Sequence, residues 1–120
     1  MGITYVTFSK IYNYGIIPKF KVLIRIADYF DISVEYLLCM TEEVYFKKSN
    51  SPKTFGFRLN ELRKENNYTI YKLSELLHIH RNNIAQWIKN DYIPSINDLE
   101  IIADFFNVSL DYLLGRTDEK

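Results

Sequence analysis

Three polar side chains with two-pronged hydrogen-bonding geometry lie close together in the second half of the chain. They are Arg81, Asn82 and Gln86. Arginine can bind both major-groove acceptors of guanine, and the amides of Asn and Gln can bind adenine through two hydrogen bonds. On a helix these positions fall in neighbouring turns, opposite the apolar Ile84 and Trp87. The residue types and spacing therefore predict a helix that contacts base edges of double-stranded DNA.

A second helix is predicted just before this one, because its start signal and its apolar period are both present. Thr69 can cap the first turn, since a threonine hydroxyl accepts a hydrogen bond from a backbone amide of that turn. Apolar residues then recur at helical spacing and predict one inward face, made of Ile70, Leu73, Leu76 and Leu77. His78 interrupts this pattern, and His80 can cap the next helix. Residues 69–90 are therefore predicted to form two short helices joined by a tight turn.

This stretch and its flanks resemble the lambda-repressor-like (Cro/cI-type, XRE family) DNA-binding domains over roughly residues 55–115. The matching signs, in the family's order, are Leu59…Leu62-Arg63, Thr69…Leu73-Ser74…Leu77, Ile84…Trp87, Pro94-Ser95, Leu99…Ile102-Ala103 and the closing run from Asn107 to Gly115. The resemblance implies an all-α, five-helix domain. It also implies a transcriptional regulator, expected to be a repressor, that binds the major groove of specific DNA sequences with the helix at 80–89.

The resemblance further implies which side chains contact DNA. Arg81, Asn82 and Gln86 are expected to contact bases. The expected phosphate contacts are Thr69, Tyr71, Lys72, Asn83, Lys89 and Ser95. Three positions depart from the family pattern. At Ile88 the family often has a glutamate that pairs with the arginine at 63, and at Ile70 many relatives have a glutamine that binds a phosphate. At His78 the turn usually has glycine. Arg63 is therefore expected at the surface or free to bind a phosphate.

The beginning of the chain repeats its end at a fixed offset of 76 residues, which places Pro18 on Pro94. The matches include polar residues as well as apolar ones: Asp28, Ser33, Tyr36 and Thr41 fall on Asp104, Ser109, Tyr112 and Thr117. A gapless match of this kind indicates an internal repeat. It predicts a three-helix partial copy at 1–43, a linker at 44–53 and the complete five-helix domain at 54–120, with a frayed tail at 117–120.

The partial copy lacks the first two helices of the complete one, which predicts an uncovered apolar surface. Five side chains would lose their cover, namely Phe8, Ile11, Leu23, Ile26 and Phe30. The neighbouring domain or the same surface of a second chain could cover them. Two-fold symmetry and the family's paired half-sites favour a homodimer. Alternatively the natural chain starts earlier, because Met1 falls where the complete copy has Leu77 inside a helix.

Composition limits the classes of function. The chain has 15 Lys and Arg residues and 15 Asp and Glu residues. Residues 53–90, however, contain seven basic side chains and three acidic ones, which gives this segment a net charge of +4. A local positive surface suits phosphate contacts. A single cysteine and the lack of a membrane-length apolar run predict a cytoplasmic protein without a membrane partner.

No catalytic or cofactor-binding pattern is present. His78 and His80 with the distant Cys39 do not supply a tetrahedral ligand set, so no metal is expected. No glycine-rich phosphate loop or Ser/His/Asp order occurs, so neither a cofactor nor an enzyme is expected. The alternative to a DNA-binding regulator is a protein-interaction module that kept the fold and lost DNA binding. Neutral net charge, Ile70 and the altered partial copy favour that alternative.

Overall fold

The computed structural model describes residues 20–90 and 92–120, which contain seven α-helices and no strand. The chain is thus all-α, as predicted. The helices are α1 (Phe20–Phe30), α2 (Val34–Leu37), α3 (Phe55–Glu65), α4 (Ile70–Leu77), α5 (Arg81–Asn90), α6 (Ile96–Phe106) and α7 (Leu110–Leu113). They fall into two compact units, Met1–Tyr45 and Phe46–Lys120. None of these helices is long and apolar enough to cross a membrane.

Hydroxyl side chains start most of these helices. In each case the side-chain oxygen accepts a hydrogen bond from the amide three residues on, which satisfies a donor that the first turn leaves unpaired. The capping residues are Ser33, Thr54, Thr69, Ser95 and Ser109. The predicted cap at Thr69 is therefore confirmed.

The core of the C-terminal unit is a layer of fully buried aliphatic side chains, among them Leu59, Ile84 and Leu99. Trp87 is only 7% exposed, and its ring meets Phe55 edge to face at 5.9 Å. The helices α3 and α5 are thus packed together through aromatic rings, and the predicted burial of Trp87 is confirmed.

One residue of the predicted inner face of α4 was assigned wrongly. Leu73 and Leu77 are buried, but Leu76 is exposed. The buried stripe of a short helix is centred on the i, i+4 pair Leu73 and Leu77, which leaves Leu76 at its margin.

The C-terminal residues are held in place, so the predicted frayed tail is wrong. Thr117 is buried, and its hydroxyl donates to the Lys47 carbonyl oxygen at 2.6 Å. The Ser109 amide donates to the Lys120 carbonyl oxygen at 2.9 Å. Asp118 accepts from the Ser49 hydroxyl and from Arg58. Segment 46–49 therefore binds the tail within the same unit.

The internal repeat holds in the backbone geometry of the described residues. Both bounds of α1 and α6, and both bounds of α2 and α7, differ by the same offset of 76. Left-handed residues recur at Asp31 and Asn107, and again at Cys39 and Gly115. Paired backbone hydrogen bonds recur as well: Ile32 N to Ala27 O matches Val108 N to Ala103 O, and Ser33 N to Val44 O matches Ser109 N to Lys120 O. Residues 20–44 and 96–120 thus form the same structural fragment.

The N-terminal unit does not leave all the expected residues uncovered. Leu23 and Ile26 are buried within the single chain, at 3% and 2% exposure. Their part in a dimer interface stays a prediction. Phe30 is exposed and meets Tyr29 edge to face. Phe8 and Ile11 lie outside the described residues.

Candidate nucleic-acid interface

A tight turn at residues 78–80 joins α4 to α5. His78 ends α4 with φ of 57°, in the left-handed region where glycine is favoured. This backbone angle lets the Ile79 amide donate to the Ser74 carbonyl oxygen at 3.2 Å, and the Ile79 side chain is buried. The turn that the family usually makes with glycine is therefore made here by a histidine.

His80 caps α5, as the sequence predicted. Its ring Nδ1 accepts a hydrogen bond from the Asn82 amide at 3.1 Å. Its carbonyl oxygen accepts from the amides of Asn83 and Ile84, so the first turn starts directly after it. The cap fixes the start of the helix that carries the predicted base-contacting side chains.

The three predicted base-contacting residues lie on one exposed surface of α5. Arg81, Asn82 and Gln86 are all exposed, whereas Ile84 and Trp87 of the same helix are buried. The buried pair fixes the rotation of the helix, and this rotation turns the three side chains toward solvent.

Asn90 is a member of this surface that the sequence argument missed. Its side-chain nitrogen donates to the Gln86 side-chain oxygen, four residues earlier on the same helix. A glutamine that binds adenine needs both its oxygen and its nitrogen. Asn90 therefore orients Gln86 and competes for the oxygen that would accept from a base. The i, i+4 spacing of the two amides was the signal in the sequence.

The predicted phosphate contacts are exposed as well, and they come from three helix starts and one helix end. They are Thr69, Tyr71, Lys72, Asn83, Lys89 and Ser95. The Thr69 and Ser95 oxygens accept amide hydrogen bonds, which leaves each hydroxyl hydrogen free to donate. The ammonium of Lys72 is 3.9 Å from the Glu75 carboxylate, and both side chains are about half exposed, so water screens this pair.

Two of the seven basic residues counted between 53 and 90 do not belong to the positive surface. Arg63 donates to the Asn60 side-chain oxygen at 2.8 and 3.1 Å and to the Tyr68 carbonyl oxygen at 2.9 Å. Without a glutamate at 88, these oxygens within and just after α3 replace the usual partner. Arg63 is half-buried and held by these two residues, so the expectation that it is free for a phosphate is wrong.

Arg58 is the second of these two arginines. It is buried, stacks on the Tyr112 ring at 4.3 Å and donates to Asp118 at 2.7 Å. Burial by itself lowers the pKa of Arg58, but the hydrogen bonds to Asp118 and Tyr112 outweigh it and the pKa lies above its ordinary value. The exposed cations nearest the turn in sequence are Lys72, Arg81 and Lys89.

Comparison with known proteins agrees with this geometry. A family model described as "Helix-turn-helix domain" matches residues 56–119. The chain belongs to the helix-turn-helix domain family. Its match covers more than half of the chain and contains α4, the turn and α5 together.

Several curated proteins are similar to about half of this chain. The HTH-type transcriptional regulator AnsR of Bacillus subtilis is 36% identical over 63 residues, which are 52% of this chain and 54% of AnsR. The HTH-type transcriptional regulator ImmR of the same species is 34% identical over 65 residues, 54% of this chain and 51% of ImmR. The HTH-type transcriptional activator BcrR of Enterococcus faecalis is 35% identical over 61 residues, 51% of this chain and 30% of BcrR. The chain thus aligns with about half the length of the first two relatives.

Proposed function

We propose that this protein is a transcriptional regulator that binds specific sequences of double-stranded DNA. The observation that carries the proposal is the exposed surface of α5, where Arg81, Asn82 and Gln86 stand opposite a buried Ile84 and Trp87. The family match and the names of the similar proteins support it.

In this mechanism α5 enters the major groove with its first turns toward the bases. Arg81 binds the two acceptors of a guanine, and Asn82 and Gln86 bind base edges beside it. Gln86 releases the Asn90 amide on binding, so Asn90 is left to contact a neighbouring base or phosphate.

The flanking residues hold the DNA backbone. Lys72 and Lys89 supply charge, whereas the hydroxyls of Thr69, Tyr71 and Ser95 donate hydrogen bonds. Asn83 donates from its amide. Such contacts set the position of α5 without distinguishing one sequence from another.

We propose repression as the mode of action and a homodimer as the bound form. Among the similar proteins BcrR is named an activator, so occupancy alone does not determine the sign of regulation. Two-fold symmetry suits paired half-sites, because each copy then presents one α5 to the groove.

Selection of random DNA duplexes by the purified protein tests the proposal. We expect an enriched motif with a guanine whose enrichment falls when Arg81 is replaced by Ala. Arg81→Ala should weaken binding to that motif by about 1–3 kcal/mol and relax the preference at one base pair. Lys64→Ala, which removes an exposed cation of α3, is the control and should leave the preference unchanged.

The same selection separates the proposal from a protein-interaction module of the same fold. A module that no longer binds DNA would enrich no motif at low salt. Unchanged affinity and preference in Arg81→Ala would show that the base-contacting surface is wrongly assigned.

Lys72→Ala should behave differently from Arg81→Ala, because a phosphate contact carries no sequence information. We expect weaker binding to every duplex by a similar factor, and a salt dependence whose logarithmic slope is smaller by about one. Titrations at several salt concentrations measure that slope. A change in base preference would instead place Lys72 at a base edge.

A further inference from the structure

The N-terminal unit contains an open cavity of about 710 Å³ on the surface of α2 and the residues that follow it. Its lining includes Tyr36, Cys39, Thr41 and Glu42. Because of the internal repeat, every lining residue has a counterpart 76 positions later in the C-terminal unit. The cavity can therefore be compared with the same surface of that unit.

In the C-terminal unit the corresponding surface is covered by the start of α3. Arg58 enters it, stacks on the Tyr112 ring at 4.3 Å and donates to the Thr117 carbonyl oxygen at 3.3 Å and to Asp118 at 2.7 Å. Tyr112 and Thr117 are each only 3% exposed as a result. A ring, a carbonyl oxygen and a carboxylate thus form a receptor for one guanidinium group.

The N-terminal unit has the same three groups at the matching positions. Tyr36 provides the ring, Thr41 the carbonyl oxygen and Glu42 the carboxylate. Tyr36 is 39% exposed and Glu42 is exposed, whereas their counterparts Tyr112 and Asp118 bind Arg58.

One position differs in a way that restricts the occupant. Gly115 lies so close to the chain before α3 that a Cβ built there would stand 1.6 Å from the Lys53 carbonyl oxygen. Its counterpart Cys39 has a Cβ and the same left-handed backbone, with φ of 59°. Cys39 therefore excludes a helix that arrives as α3 does, which argues against α3 of a second copy of this chain.

We propose that this cavity binds an amphipathic helix of a partner protein that places an arginine in its first turn. The arginine stacks on Tyr36 and pairs with Glu42, as Arg58 does with Tyr112 and Asp118. The partner's backbone just before its helix must stay clear of the Cys39 Cβ. It therefore lies farther from Cys39 than the Lys53 backbone lies from Gly115 in the C-terminal unit. The lining residues belong to the N-terminal unit and α5 belongs to the C-terminal unit, so the proposal does not depend on DNA binding.

A peptide with the sequence of residues 54–65 and a free amino terminus is a suitable probe. It contains the α3 sequence with its arginine but lacks the Lys53 carbonyl oxygen that Cys39 would meet. Binding to the full 120-residue chain is measured by fluorescence anisotropy, and amide chemical shifts locate it. We expect shifts at Tyr36, Thr41 and Glu42. We also expect affinity to fall about ten-fold or more when the peptide's arginine is replaced by Ala, because a charge-assisted hydrogen bond and a cation–π contact are lost together.

Substitutions in the protein complete the test. Glu42→Gln should weaken binding to a similar extent, whereas Glu43→Gln, at the exposed neighbouring carboxylate, should not. A longer peptide of residues 52–65 should bind the wild-type protein about ten-fold more weakly than the short one, and Cys39→Gly should abolish this difference. Shifts confined to the C-terminal unit, or equal affinity for Glu42→Gln and wild type, would overturn the site. Equal binding of both peptides to the wild-type protein would overturn the exclusion by Cys39.

Discussion

At the scale of single residues, two left-handed positions that end helical segments carry opposite residue types. His78 has a φ of 57°, where the Cβ of its side chain causes steric strain, and that side chain is exposed. Gly115 takes φ of 76° and lies against the Lys53 carbonyl oxygen, where only a hydrogen atom fits. The family's pattern indicated the first departure, whereas the second constraint depends on a contact 62 residues away along the chain and is visible only in three dimensions.

His78→Gly should raise the free energy of unfolding by about 0.5–1 kcal/mol, because glycine adopts the left-handed backbone without a Cβ penalty. Gly115→Ala should lower it by about 2–4 kcal/mol, since a Cβ adds both strain and a collision. Urea unfolding followed by circular dichroism measures both values. His78→Ala is the control, because it removes the imidazole but keeps the Cβ and should not stabilise. If His78→Ala stabilises as much as His78→Gly, the cause is the side chain and not the backbone angle.

At the scale of elements, local signals predicted α4 and α5 well because their caps and apolar periods lie within each segment. The caps at Thr69 and His80 are both of this local kind. What the sequence could not show was pairing between distant segments. Arg58 counted as surface charge because its partners, Thr117 and Asp118, lie in the tail at the other end of the unit's sequence.

The same limit applies to the candidate site. Exposure of the base-contacting residues followed from the period of α5, since Ile84 and Trp87 determine which side is buried. The bond from Asn90 to Gln86 depends on side-chain rotamers, which spacing only permits.

The tail and α3 are linked through Asp118, which predicts a pH dependence of stability. Hydrogen bonds from Ser49 and then Arg58 hold the pKa of Asp118 below its ordinary value. A carboxyl whose pKa is lowered by folding stabilises above its unfolded pKa, near about 4, and loses that contribution as the pH falls through the folded pKa. Asp118→Asn should therefore be less stable than wild type at pH 7, and the two should converge in acid.

Urea unfolding from pH 7 down to about pH 2.5 measures this convergence for Asp118→Asn and wild type. Glu119→Gln, at the exposed neighbouring carboxylate, is the control and should follow the wild-type curve at all pH values. A constant difference between Asp118→Asn and wild type over the whole range would contradict the ionic role of Asp118.

At the scale of the whole molecule, the two units contain one structural fragment with different surroundings. In the C-terminal unit the edge-to-face pair Phe105 and Phe106 has Tyr68 beside it, at 6.0 Å from Phe105. In the N-terminal unit the matching pair Tyr29 and Phe30 is exposed. Exposed aromatic pairs are frequent in protein interfaces. Among the described residues, Phe30 is the exposed member of the proposed dimer surface.

Phe30→Asp should therefore shift a homodimer toward monomer, because a carboxylate would have to be buried against the second copy. Multi-angle light scattering at micromolar concentration gives the mass directly. We expect twice the chain mass for wild type and a concentration-dependent fall toward the monomer mass for Phe30→Asp. Tyr45→Asp, at another exposed aromatic side chain of the same unit, is the control and should remain dimeric. A monomeric wild type, or equal masses for wild type and Phe30→Asp, would show that Phe30 does not hold two copies together. Paired DNA half-sites would then have to be bound by chains that associate only on the DNA.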